Sequence, residues 1–208
     1  MMAASLMILG RAGKISRPTV ATVIPTSTNK VVMVDSGANV DEKPAQLLQF
    51  AVCGSIYARL ILGVENPKVA LLNMGEEEHK GTEAVSETYK LLKASHLNFI
   101  GNVEGHDVLK GGFDVLVTPG YTGNVVLKFI EGMGEFLIHN FRDSVSGPKF
   151  DAIFEGFNYE NTAGALLLGL DGTSIIMHGR SSARAYCTGV LIARQIAEAK
   201  VHSKIAED

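Results

Sequence analysis

"KVALLNMGEEEHKGTEAVSETYKLLKASHLNFIGNVEG", residues 68–105, decides the fold. Its first part, 68–75, is a short apolar run that reads as a buried strand, and 97–105 reads as a second strand and its loop. Between them, 82–95 has helical spacing. Val85, Tyr89 and Leu92 form one apolar stripe, with Glu83, Glu87, Lys90 and Lys93 mostly outside it. The alternation continues in both directions. Upstream, 19–26 and 30–35 are β-rich runs, followed by a helix over 44–63 with Pro44 at its first position and Gly63 as its stop. Downstream, 113–124 reads as strand and loop and 125–144 as helix. Residues 173–179 then read as strand and 181–201 as a closing helix. Apolar strands alternating with helices predict an α/β fold with a mainly parallel sheet and helices on both faces. The stretch 143–165 is the weakest-patterned part.

The composition is that of an ordinary globular chain. Of 208 residues, 46% are apolar and 20% charged, and the net charge of −3 lacks the basic excess of a nucleic-acid binder. The two cysteines, Cys53 and Cys187, form no C-x-x-C pair, so neither a disulfide framework nor a zinc ribbon is expected and a reducing cytoplasm is the default. No apolar run reaches the roughly 18–20 residues of a membrane span. The opening "MMAASLMILGRAGK" has no basic stretch before its apolar residues and reads as the back half of a helix ending near Gly10 or Gly13.

In parallel sheets of this kind, ligands bind beyond the carboxyl ends of the strands. Five polar, glycine-bearing segments are predicted there: "DSGAN" (35–39), "NMGEEEHKG" (73–81), "GNVEGHD" (101–107), "PGYTGN" (119–124) and "HGRSS" (178–182). Glycine allows close backbone approach, and amides at helix starts attract phosphate or carboxylate. No Walker loop or dinucleotide fingerprint is present. His79, His96, His106 and His178 stand singly on separate loops, His139 falls within a helix pattern, and adjacent glutamates 76–78 cannot converge on one ion, so no metal is expected. A G-x-S-x-G elbow is also absent.

The segments "VDSGANVDEKPAQLLQFAVCGSIYA", "NPKVALLNMGEEEHKGTEAVSETYKLLK", "NFIGNVEGHD", "TGNVVLK" and "LLLGLDGTSIIMHGRSSARA" resemble, in register, the bacterial phosphate acyltransferase family of phospholipid synthesis. The resemblance implies a fold like that of phosphotransacetylases and isopropylmalate-type dehydrogenases. It implies attack of inorganic phosphate on acyl-acyl carrier protein, giving acyl phosphate and free carrier with no cofactor. It also implies a cytoplasmic homodimer that contacts the membrane peripherally. On this basis Lys80, Asn124 and His178 are the candidate catalytic residues. Gly37, Asn39, Gly75, Glu104, Gly120, Thr122, Gly123 and Gly179 are the candidates for holding substrate and phosphate. Lys80 is the expected cation for phosphate or oxyanion, with Glu104 orienting the lysine or a backbone turn. The asparagines would present side-chain amides, against the ordinary reading that each caps its own turn.

Residues 1–208 are accordingly expected to form a single α/β domain, the C-terminal two-thirds of the family fold, with 133–158 as a shortened helical insertion. Compared with the family, the opening third is missing, Pro119 replaces an aspartate, and Arg180 and Ser182 replace a serine and an aspartate. These departures keep a second reading open, that of a truncated non-catalytic relative retaining a carrier-binding or dimerisation surface.

Overall fold

The computed structural model describes residues 2–141, 145, 147, 155–157, 164–177, 179 and 181–208. In chain order the elements are α1 (Met2–Leu9), β1 (Thr19–Pro25), β2 (Lys30–Val34), α2 (Pro44–Ile61), β3 (Lys68–Leu72), α3 (Glu83–Ala94), β4 (Asn98–Val103), β5 (Val115–Val117), α4 (Gly120–Phe141), β6 (Ala165–Leu168), β7 (Ser174–Ile176), α5 (Ala183–Glu198) and α6 (Val201–Glu207). The strands form one sheet in the order β4-β3-β5-β2-β1-β6-β7. Strands β4, β3, β5 and β2 pair in parallel, whereas β2–β1, β1–β6 and β6–β7 are antiparallel. Five strands therefore point one way, and only β1 and β7 are reversed.

Alternation along the strands divides the core between two faces. Val32, Val34, Val69, Leu71, Val115 and Val117 pack under α2, α3 and α6, against Leu47, Phe50, Cys53, Leu92 and Ile205. On the other face, Val31, Met33, Ala70 and Leu116 meet Ile130 of α4, while Leu6 and Leu9 of α1 cover Val20 and Leu167. Gly54 lets α2 lie close to the sheet, because a Cβ there would come 2.8 Å from Val115 Cγ1. Burial lifts the Cys53 thiol up to about 12.

Two departures from the sequence reading have local causes. The closing helix is two helices, because Lys200 adopts a left-handed backbone (φ 53°) between α5 and α6. Strand β6 was not anticipated: four residues between glycines carry too little pattern to declare a strand. On β4, the pairing with β3 slips between Val69 and Ala70, where Gly101 has φ +109°. Much of the expected 133–158 insertion lies outside the described residues.

Candidate active site at the carboxyl edge

Strands β2, β5, β3 and β4 end side by side, so the segments that follow them share one edge. After β2 the chain turns tightly around the buried carboxylate of Asp35. Asp35 Oδ1 accepts the N–H groups of Val20 (3.0 Å), Gly37 (3.1 Å) and Ala38 (3.0 Å). Oδ2 accepts Asn39 N (2.9 Å) and Asn39 Nδ2 (2.8 Å). Gly37, at φ +123°, supplies the one conformation in the turn that a side chain would strain. Asn39 is buried, and its Nδ2 also donates to Pro18 O at 3.0 Å. Both Asn39 amide hydrogens thus have acceptors within the protein, one in Asp35 of the turn and one in Pro18 O just ahead of β1.

Strand β5 passes through Thr118 and Pro119 directly into α4. Gly120 is buried, and its N–H donates to Glu42 Oε1 at 2.8 Å, while Gly123 N–H donates to Pro119 O at 2.8 Å. Both amides thus have acceptors within the protein. Two carboxylates, Asp35 and Glu42, already face this helix start. Both glycines serve close packing, since a Cβ on Gly123 would collide with the carbonyl oxygen of Asp35. Thr122 and Asn124 remain exposed on the first turn, and the Asn124 side chain lies against Gly37, with Oδ1 3.0 Å from where a Cβ would stand.

The loop after β3 is tied down from within and from β4. Asn73 Nδ2 donates to Lys80 O at 3.0 Å, and Asn102 Nδ2 of β4 donates to Glu77 O at 2.9 Å. Gly75 is buried beneath the Lys80 stem, whose Cγ lies 3.2 Å from a Cβ built there. Lys80 Nζ stands 3.9 Å from Glu77 Oε1, a half-exposed pair of little energetic consequence. Glu78 instead pairs with Lys93 of α3, whose hydrogen bond holds the glutamate below the usual carboxylate range. Glu104 does not orient the lysine, because its carboxylate faces His106 Nδ1 at 3.4 Å. Beside it the Lys110 ammonium, 2.9 Å from Asp107, holds that carboxyl low.

The fifth segment does not join this edge. Strand β7 runs antiparallel to β6 and pairs its last residue, Ile176, with Ala165 at the start of β6, so it ends at the opposite edge. Gly179 follows it as an exposed turn residue, and His178 and Arg180 lie outside the described residues. Ser182 caps α5 by accepting Ala185 N–H at 3.2 Å, a task that serine and aspartate perform alike. A cavity of about 390 Å³, lined by Tyr57, Ile61, Leu166, Ile175 and Ile192, also opens at that opposite edge.

Sequence reasoning overlooked Asp35, Glu42 and Asn102. An aspartate between an apolar strand and "SGAN" carries the signature of a side chain that organises its own turn, so Asp35 was recoverable. Glu42 and Asn102 act across 78 and 25 residues respectively, and local pattern gives no sign of them. Among the described residues, no group of three or more histidines, cysteines and acids could hold a metal ion, and no helix is long and apolar enough to cross a membrane.

The architecture is that of the phosphotransacylase-like α/β proteins. It is similar to a phosphotransacetylase from Streptococcus pyogenes (TM-score 0.65, 17% identity, 94% of this chain and 59% of that one). It is also similar to a branched-chain phosphotransacylase from Enterococcus faecalis V583 (TM-score 0.56, 15% identity, 86% and 64%). Within that class the chain belongs to the fatty acid synthesis protein family, whose model matches residues 1–204. The phosphate acyltransferase of Thermodesulfovibrio yellowstonii is 41% identical over 219 residues, covering 100% of this chain and 64% of the relative. That of Syntrophomonas wolfei subsp. wolfei is 49% identical over 194 residues, covering 92% and 60%. The chain thus spans somewhat less than two thirds of these relatives' length.

Proposed function

We propose that this chain is a phosphate acyltransferase that converts acyl-acyl carrier protein and inorganic phosphate to acyl phosphate and free carrier for phospholipid synthesis. The observation that carries this reading is family membership over nearly the whole chain, together with relatives named for that activity. The site chemistry is consistent with it. A phosphate oxygen attacks the thioester carbon; a C–O bond forms, the C–S bond breaks, and the proton of hydrogen phosphate passes to the departing sulfur. Such a reaction needs a cation for the anionic nucleophile and donors for the developing oxyanion. Lys80 is the proposed cation, because its weak pairing with Glu77 leaves it able to turn to a ligand. Thr122 and Asn124, exposed on the first turn of α4, are the proposed donors; Gly37 lets the Asn124 side chain lie against the 35–39 turn, and Gly75 lets the Lys80 stem lie close over its own loop. The phosphate is itself the nucleophile, so no cofactor is assigned.

The partners in this reading are acyl carrier protein, phosphate, a second copy of the chain and the membrane periphery, in the cytoplasm. Exposed Tyr121, Val125, Phe129 and Phe136 along α4 supply an apolar face for such contacts. The test is incubation with an acyl-carrier thioester and phosphate, trapping acyl phosphate with hydroxylamine. Phosphate-dependent acyl hydroxamate, undiminished by a chelator, is the expected result. Absence of turnover would sink the reading. Pro119, where the family has an aspartate, favours a second reading, a non-catalytic relative, which would capture carrier protein in a pull-down without turnover.

A further inference from the structure

Helix α4 begins without a cap of its own. The residue before Gly120 is Pro119, whose ring has no acceptor for the first amides of the helix. Glu42 supplies the missing acceptor from the segment between the Asp35 turn and α2, with Oε1 2.8 Å from Gly120 N. It is 9% exposed, and its oxygen would lie 2.7 Å from a Cβ on Gly120, with Asp35 Oδ2 2.8 Å away on another side. One turn along, Asn124 leans on Gly37, within the loop that Asp35 organises. The first turn of α4 is therefore held at its start by Glu42 and touches Gly37 further on through the side chain of Asn124, with exposed Thr122 between these two contacts.

We infer that Glu42 is a positioning residue: its carboxylate takes the first free amide of α4, that of Gly120, and fixes where Thr122 and Asn124 stand relative to the 35–39 turn. Without it the Gly120 amide is buried and unpaired, and the turn shifts to reach water. Misplacing groups that act on the transition state lowers kcat and leaves substrate affinity largely intact.

The catalytic part of this inference rests on the proposed function, so the test has two arms. In the first, amide exchange at Gly120 is measured in the wild type, Glu42→Ala and Glu42→Gln. Exchange should accelerate at least tenfold in Glu42→Ala and stay slow in Glu42→Gln, whose carbonyl oxygen still accepts the bond. In the second, kcat should fall on the order of tenfold or more in Glu42→Ala, with KM for phosphate nearly unchanged, and recover in Glu42→Gln. Unchanged exchange in Glu42→Ala overturns the inference, as does a glutamine variant as impaired as the alanine one. A wild type without turnover removes the proposed function, while the exchange arm still decides the capping role. A thermal melt of each variant separates local loosening from failure to fold.

Discussion

Lys80 and Asp35 show how differently two charged residues serve one edge. Asp35 is fully buried and spends both oxygens on five backbone and side-chain N–H groups, so its charge is consumed in building the turn. Among the described residues the Lys80 ammonium has one distant partner, Glu77, and a pair that loose leaves its charge able to turn to a ligand. Replacing Lys80 by alanine should therefore lower kcat/KM about a hundredfold and raise KM for phosphate, with little change in the urea midpoint. Steady-state kinetics over a phosphate series checks this, and unchanged kinetics would remove Lys80 from the site. The resemblance to the phosphate acyltransferase family pointed to Lys80, whereas only coordinates reveal that the amides of Asn39, Gly120 and Gly123 are paired within the protein.

Among the elements, α4 starts in close contact with what lies beneath it. Its start meets β2 through Gly123, whose Cβ position is filled by the carbonyl of Asp35 and, at 2.8 Å, by Thr118 Cγ2. Gly123→Ala should therefore lift the helix from the strand and cost about 1–3 kcal/mol, read from urea unfolding. An alanine variant as stable as the wild type would mean that the contact relaxes freely. The periodic elements were legible: α2 runs Pro44–Ile61, with Gly63 at φ +73°, and α3 runs Glu83–Ala94 behind its Thr82 cap. Strand direction was not. Nothing in "TSIIMHG" says that β7 runs against its neighbour, so its loop was assigned to the wrong edge.

Across the whole molecule the two cysteines report on the two environments the fold creates. Cys53 is fully buried on α2, and Cys187 is exposed on α5. A thiol reagent near neutral pH should modify one cysteine promptly. The other should react only as fast as the protein unfolds, because burial both blocks access and disfavours the thiolate. Equal rates for both would contradict the core as described. The arrangement of this core was partly legible from apolar periodicity: of Leu47, Phe50, Ala51, Gly54, Ala58 and Ile61, which share helical spacing on α2, all but half-buried Ile61 are buried, but so are Cys53, Ser55, Ile56 and Tyr57 beyond that stripe.

The slip in pairing at Gly101 has a bearing on solubility. β4 is the outer strand on the parallel side of the sheet, where a straight strand would offer a regular row of free N–H and C=O groups to any neighbouring chain. The irregularity interrupts that row, and residues on either side of it no longer present a continuous template. Runaway strand-by-strand aggregation is thereby discouraged on this flank.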